Sequence, residues 1–510
     1  MFKKIIKNTY LLGSGTLLSR VLGFVRDVLI AKFFGTTFTL EAFLVAFRIS
    51  NLFRSVFAEG FFDSVATPYL AQVYKDKTRL FLVSNRLLSF SLVFLSFFIL
   101  TAIFLSKYLI IFFAPGFLRE AQKFNLTLLF LRLTFFYLFF IVIATNFTSL
   151  LYASRKFFLP AINPVFLNLS FIVGVFFFFS YFRHYILVIC VLAAGVLQTI
   201  FPFFILKKEG FKFYFDLFGV FKDKEIIKMF KLFIPRLGSS MIYHFSVLID
   251  TIFSSLTFLV GKGGLAAIYY ANRLIQFPLA IIAFSISKVA IVDLSSYAYE
   301  NKLNDFKKLF VFSFQNLLFF ILPVTFLFLF LPHGLIEIIF KRGKFDLYSL
   351  KITTNVLFYY GWGLFFFCGI KLLVNSFYAL KDTLTPTKTA FFSLLLNAIL
   401  SGILIFPLKI GGVALGSSIS AMFNFFLLYF LLLKKIGKID WQDTKIQFIK
   451  IVFLSILIGI VSRIVWDLFI LPKYFKILII LIVNLLILLG GGYFLKVKQT
   501  DYLKRWLIKT

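Results

Sequence analysis

Residues 14–35 read SGTLLSRVLGFVRDVLIAKFFG, an apolar run long enough to cross a bilayer that carries Arg20, Arg26 and Asp27 in its middle. Charge facing lipid at that depth is costly, so the run makes sense only if those residues turn away from lipid. At 100° per residue, Thr16, Ser19, Arg20, Gly23, Arg26 and Asp27 fall within an arc of about 120°, and leucine, valine and phenylalanine take the rest. The next run, EAFLVAFRISNLFRSVFAEGFFDS, repeats the device. Glu41, Arg48, Asn51, Ser55, Glu59 and Asp63 form one stripe about 120° wide. Arg54 lies off that stripe, which calls for a bend or for a contact with the first run.

The whole chain has the same character. Of 510 residues, 61% are hydrophobic, 79 are phenylalanine and only 15% are charged, which is too little polar surface for a soluble globule. An all-α, polytopic membrane protein follows. The formal charge of +33 would suggest nucleic acid in a soluble protein. Here the lysines sit between apolar runs, where positive-inside topology and anionic lipid account for them. The basic start MFKKIIKNTYLL is read as leading into a retained first span, because no small-residue cleavage site follows. Cys190 and Cys368 lie inside apolar runs and offer neither a disulfide framework nor a thiolate metal site.

Apolar runs broken by lysine, glycine or proline give about fourteen transmembrane helices, at 9–33, 40–74, 82–106, 125–151, 158–182, 185–206, 229–257, 264–298, 306–331, 350–380, 388–407, 411–433, 447–470 and 475–495. Alternate connections, among them YKDKTR, ENKLNDFKK and KDTLTPTK, are far richer in Lys and Arg. Lys3, Lys4 and Lys7 join that set, which places both termini in the cytoplasm.

The basic stretch at 207–228 divides the chain, and the two sides repeat. LYASRKFFLP at 151–160 matches FYALKDTLTP at 377–386, and Ala46 to Arg48 matches Ala271 to Arg273 at nearly the same spacing. The expected organisation is an N-terminal six-helix bundle at 1–206, a basic linker at 207–228, a C-terminal six-helix bundle at 229–440, and two further helices with a tail at 441–510. Parallel copies of this kind belong to transporters whose halves rock about a midplane site. In the second half, Tyr269, Arg273 and Gln276 share one face, and Ser239, Tyr243, Asp250 and Ser254 share another.

The polar set is read as a cavity of net positive charge, for which an anionic passenger is the simplest reason. Arginine rather than lysine points to phosphate or pyrophosphate, whose paired oxygens match the guanidinium fork. The structural alternative is internal ion pairing, such as Arg26 with Asp27 or Arg48 with Glu41. No catalytic motif is present: GSG at 13–15 lacks its G-x-G-x-x-G continuation, no Walker-type lysine loop occurs, and the three histidines have no metal spacing. The chain is not read as an enzyme. Asp250 has no basic residue within one turn of its own helix, so a cation, Na⁺ or H⁺, is expected there.

SRVLGFVRDVLIAKFFG, EAFLVAFRISNLFRSVFAEGFF, YANRLIQFPLAI and FYALKDTLTPTK resemble, in order and across essentially the whole chain, the signature segments of the MurJ (MviN) family of lipid II flippases. The resemblance implies the fold of the MATE-like multidrug/oligosaccharidyl-lipid/polysaccharide exporter superfamily. Two six-helix bundles would be joined by two added helices that form a groove for a polyprenyl tail. It implies lipid II as substrate, a bacterial inner-membrane location, a role in peptidoglycan synthesis, and substrate-binding roles for Arg20, Arg26, Arg54 and Arg273. Arg48 sits where the family commonly has a basic residue, and Glu41 replaces an aspartate. Ser50 replaces a proline and Ser55 an arginine. A sodium ion bound by some members would map onto Asp250, Asn397, the Val413 carbonyl and Ser417, with Ser401 in place of an aspartate. Two other functions fit the sequence: a flippase for another polyprenyl-linked oligosaccharide, and a non-transporting scaffold that recruits cell-wall enzymes.

Overall fold

Polar caps convert the apolar runs into helices with sharp ends. Asp76, Asp223 and Asp346 each accept a hydrogen bond from a backbone N–H in the first turn of the helix that follows. At the other ends, Gly35, Gly261 and Gly437 take positive φ, which residues with a side chain rarely adopt. The computed structural model describes the backbone of residues 2–468 and 471–509, with side chains for 15, 17–233, 245–468, 471–502 and 504. Thr16, Ser239 and Tyr243 therefore lie outside the described side chains.

The long helices are α1 (Phe2–Phe34), α2 (38–72), α3 (Lys77–Phe113), α4 (Ala121–Ala153), α5 (158–182), α6 (Ile186–Lys208), α7 (Lys224–Ser255), α8 (Gly264–Tyr299), α9 (Leu303–Phe330), α10 (Leu347–Ala379), α11 (Leu384–Leu408), α12 (Ile410–Ile436), α13 (Gln442–Leu468) and α14 (Lys473–Phe494). No strand occurs among the described residues. Ten helical runs there are long and apolar enough to cross a membrane, and one of them, Phe158–Lys208, is broken at Arg183 into α5 and α6.

The chain forms two compact units, Met1–Leu256 with Arg342–Lys344, and Thr257–Lys341 with Phe345–Thr510. The division falls after α7 rather than at the basic linker. Aromatic packing explains why α7 goes with the first unit. Phe230 stacks on Phe61 at 5.1 Å, and Phe233 meets the same ring edge-on at 5.4 Å. The linker itself is clamped to α3, where Arg79 and Arg86 both pair with Asp223 and Arg86 also pairs with Asp216. The Arg86 hydrogen bond holds the Asp216 carboxyl below the usual carboxylate range. Burial alone would raise Asp223, but Arg79 and Arg86 keep it low as well.

The internal repeat is visible in helix ends. Residues 38, 77, 121 and 158 begin helices in the first unit, and 264, 303, 347 and 384 begin them in the second, 226 residues later in each case. Helices α4 and α5 end at 153 and 182, α10 and α11 at 379 and 408, again 226 apart. Even the unusual backbone repeats: Gly35, Arg155 and Arg183 have positive φ, as do Gly261, Lys381 and Lys409 at the same offset. On the loops that follow α4 and α10, Lys156 pairs with Glu209 and Asp382 with Lys435. These are equivalent positions with the signs exchanged.

In the second unit, α13 packs Ile451 and Leu454 against Leu318, Phe319 and Leu322 of α9. The Ser462 hydroxyl donates to Asn484 of α14 at 3.0 Å. Leu478, Leu481, Leu485 and Leu486 leave the outer face of α14 apolar and exposed.

Candidate functional site

On α1 the expected division of faces is present. Leu17, Leu18, Val21, Phe24 and Val25 are exposed, while Asp27 is 2% exposed. Arg26 donates to Asp27 Oδ1 from Nε at 2.9 Å and Nη2 at 2.8 Å, and from Nη1 to Asn168 Oδ1 at 3.0 Å. The Asn168 amide donates in turn to the Ser19 carbonyl at 2.8 Å. Arg26 also lies over the Phe171 ring. Arg26 is therefore pre-oriented by α5, with its charge matched by Asp27. Arg20 is exposed and pairs with no carboxylate among the described residues.

The device on α2 is a change of helix type. Phe38–Arg54 is α-helical, and Ser55–Ala66 is π-helical. In an α-helix, residues five apart point about 140° away from each other. A π turn joins residues five apart and stacks them on one face. Arg54 Nη2 accordingly pairs with Glu59 at 2.8 Å, and its Nε donates to Asn51 at 2.5 Å. This is the bend that Arg54 requires. It gathers Asn51, Arg54 and Glu59 in a group that stays accessible, with the Arg54 side chain 26% exposed and that of Glu59 50%. The second unit has the same feature, since Leu279–Ala283 of α8 is also π-helical and begins six residues after Arg273, against seven after Arg48.

Arg48 donates to the Thr251 hydroxyl of α7 at 2.8 Å. Glu41 is buried and receives Lys123 at 2.6 Å, with both side chains at most 2% exposed and the Lys123 ammonium 4.0 Å from the centre of the Phe117 ring. Lys123 thus offsets Glu41 and tips the balance of the first unit's polar face toward its arginines. Sequence reasoning missed Lys123, Asn168 and Thr251. Each reaches its partner from a different helix, and single-helix geometry carries no signal for that.

In the second unit, Arg273 lies over the Tyr269 ring at 4.9 Å, and its Nη1 donates to Gln276 at 3.4 Å. Asn397 Oδ1 accepts from both the Ser401 and the Ser417 hydroxyls at 3.2 Å. Val413 is fully buried one turn before Ser417 on α12. Asp250 belongs to the first unit, where its carbonyl accepts from the Ser254 hydroxyl. Asn397, the Val413 carbonyl and Ser417 offer oxygen only, the donor chemistry of a hard cation. Among the described residues there is no group of three His, Cys, Asp or Glu that could hold a metal.

A family model described as lipid II flippase MurJ matches residues 30–484. A probable lipid II flippase MurJ of Buchnera aphidicola subsp. Schizaphis graminum is 33% identical over 458 residues, covering 89% of this chain and 88% of that protein. A solved lipid II flippase MurJ in an inward closed conformation superposes with a TM-score of 0.80 at 25% identity, covering 96% of this chain and 99% of that one. An inward-facing multidrug resistance MATE family transporter of the MOP superfamily aligns at TM-score 0.67 and 14% identity, covering 82% of this chain and 96% of that one, a likeness of fold.

Proposed function

The chain belongs to the lipid II flippase MurJ family, a family of multi-pass bacterial membrane proteins, and from that premise we propose that it carries lipid II from the inner to the outer leaflet of the cytoplasmic membrane by alternating access. The observation that carries the reading is the arginine-bearing face of α1 and α2 inside a membrane unit, with Arg26 pre-oriented and Arg54 held accessible on a π turn. A pyrophosphate presents paired oxygens, and a guanidinium fork binds them with two parallel bonds. In this reading Arg20, Arg26, Arg48 and Arg54 of the first unit and Arg273 of the second bind the anionic head group. Asn51 and Glu59 position Arg54, Asp27 positions Arg26, and Glu41 braces α2 through Lys123. The exposed apolar face of α14, beside α13, suits a polyprenyl tail. Both termini are cytoplasmic, in keeping with the basic connections. Coupling to a cation, Na⁺ or H⁺, is part of the proposal, with Asn397, the Val413 carbonyl and Ser417 of the second unit as oxygen donors and the Asp250 carboxylate of the first unit as a separate candidate for the coupling.

Vectorial movement of labelled lipid II in proteoliposomes containing this protein alone is the test. Transport above empty vesicles is expected, and its absence beside a working control flippase overturns the reading. Loss of transport in Asp250→Asn, or loss of its cation dependence, is expected if that carboxylate couples. Cysteines placed at Lys224, Lys308 or Lys435 should be shielded from impermeant thiol reagents in intact cells, and labelling there would reverse the orientation.

A further inference from the structure

The second unit holds a lysine in a membrane-spanning helix with no carboxylate against it among the described residues. Lys371 of α10 is partly buried, stands eight residues before the helix end at Ala379, about 12 Å along the axis, and forms no ion pair among the described residues. Its ammonium lies over the Phe284 ring of α8 at 5.1 Å. One turn further along α10, the Asn375 amide donates to the Ser287 carbonyl at 3.0 Å, and the next residue on α8 is Lys288, which is exposed. The two helices thus place one amine beside Phe284, immediately after the π-helical turn of α8, and a second, Lys288, about one turn further along.

The first unit does something else at the equivalent place. Thr145 stands 226 residues before Lys371 and spends its hydroxyl on the Ile141 carbonyl. The fold therefore does not need an amine at this level. An ammonium within a span is costly unless it meets an anion or water, and two with no acid beside Lys371 define a place for an anion.

We infer that Lys371 and Lys288 form a lipid-phosphate station on the α8–α10 face of the second unit. The inference deepens the flippase reading and rests on it for the identity of the lipid. The phosphate can come from the polyprenyl pyrophosphate substrate or from an anionic phospholipid, and both carry oxygens that an ammonium binds as a point charge.

The test places the full chain in phosphatidylcholine nanodiscs doped with either undecaprenyl pyrophosphate or phosphatidylglycerol, with bound lipid counted by native mass spectrometry. Lys371→Gln and Lys288→Gln should each lower occupancy by the relevant lipid about tenfold, and Lys371→Arg should restore it. A loss confined to the pyrophosphate arm identifies the substrate, and a loss confined to the phospholipid arm identifies bulk lipid. Should Lys371→Gln fail to fold, the exposed Lys288→Gln and the Lys371→Arg variant carry the test. Unchanged occupancy in both arms for folded glutamine variants overturns the station. A wild type that moves no lipid II, yet whose phosphatidylglycerol occupancy depends on Lys371, removes the flippase reading and leaves the station standing.

Discussion

The two units share a backbone and differ in chemistry. Helix starts and positive-φ turns recur at an offset of 226 residues, but the first unit carries a buried Glu41–Lys123 pair where the second has Ala267 and Ser349. The first unit concentrates arginines on α1 and α2. The second has Arg273, a neutral Asn397–Ser401–Ser417 cluster and the amines of Lys288 and Lys371. Helix boundaries answer to caps and membrane thickness, which both copies must obey, whereas polar faces are free to specialise.

The largest effect should come from the pair that only the first unit has. Glu41→Gln leaves the buried Lys123 ammonium with Glu120 at 3.9 Å in place of its 2.6 Å partner, a loss of about 3 kcal/mol. Thermal unfolding of the purified protein should show it, and Glu41→Gln combined with Lys123→Met should recover most of it, because the second unit folds without charge there. A single variant as stable as the wild type would break the contrast.

Next come the arginines. Replacing Arg26 or Arg54 by lysine keeps charge but gives up the fork, at about 1.5–3 kcal/mol, or roughly ten- to hundredfold in pyrophosphate affinity. Arg273→Lys should cost less, since its hydrogen bonds to Gln276 and Tyr269, at 3.4 and 3.5 Å, are longer than those that hold Arg26 and Arg54. Binding and complementation at matched membrane levels would check this order, and equal losses would show that the second unit contributes as much to head-group recognition as the first.

Smaller effects belong to the exchanged bridges. Lys156→Glu alone should cost up to about 1 kcal/mol and be repaired by Glu209→Lys, with Asp382→Lys and Lys435→Asp behaving alike in a double-mutant cycle. The smallest is a pH effect on one bridge. Burial alone would raise the Asp382 carboxyl, but bonds from Lys435 and Thr385 pull it from 3.8 to about 2. Its contribution is full above pH 3.8 and lost as pH falls toward 2, so Asp382→Asn should flatten the melting temperature across that window, with no matching change for a surface asparagine elsewhere.

Much of this was legible in the sequence. The span at 158–182 has the limits of α5, and most other helices run a few residues past the apolar windows because polar and basic turns continue them. The outward arc of α1 and the need for a bend at Arg54 could both be read from 100° per residue. The bend's form could not, since no residue type marks a π turn. Pairings such as Glu41 with Lys123, 82 positions apart, depend on which helices become neighbours. The same holds for α7, whose aromatic contacts rather than its place after the linker assign it to the first unit.

The exchanged signs of the two loop bridges also bear on how such a chain is made. A protein with two near-copies of one fold emerges from the ribosome with the first copy exposed before its sequel arrives, and misassembly between copies is the characteristic failure of repeated domains. Had both copies kept a lysine on the loop and a glutamate at the helix end, either partner would serve either loop. As the chain stands, a cross-copy match sets Lys156 against Lys435 and Asp382 against Glu209. Like charges meet in both wrong pairings and opposite charges in both right ones, so the exchanged signs disfavour a mismatch between the copies.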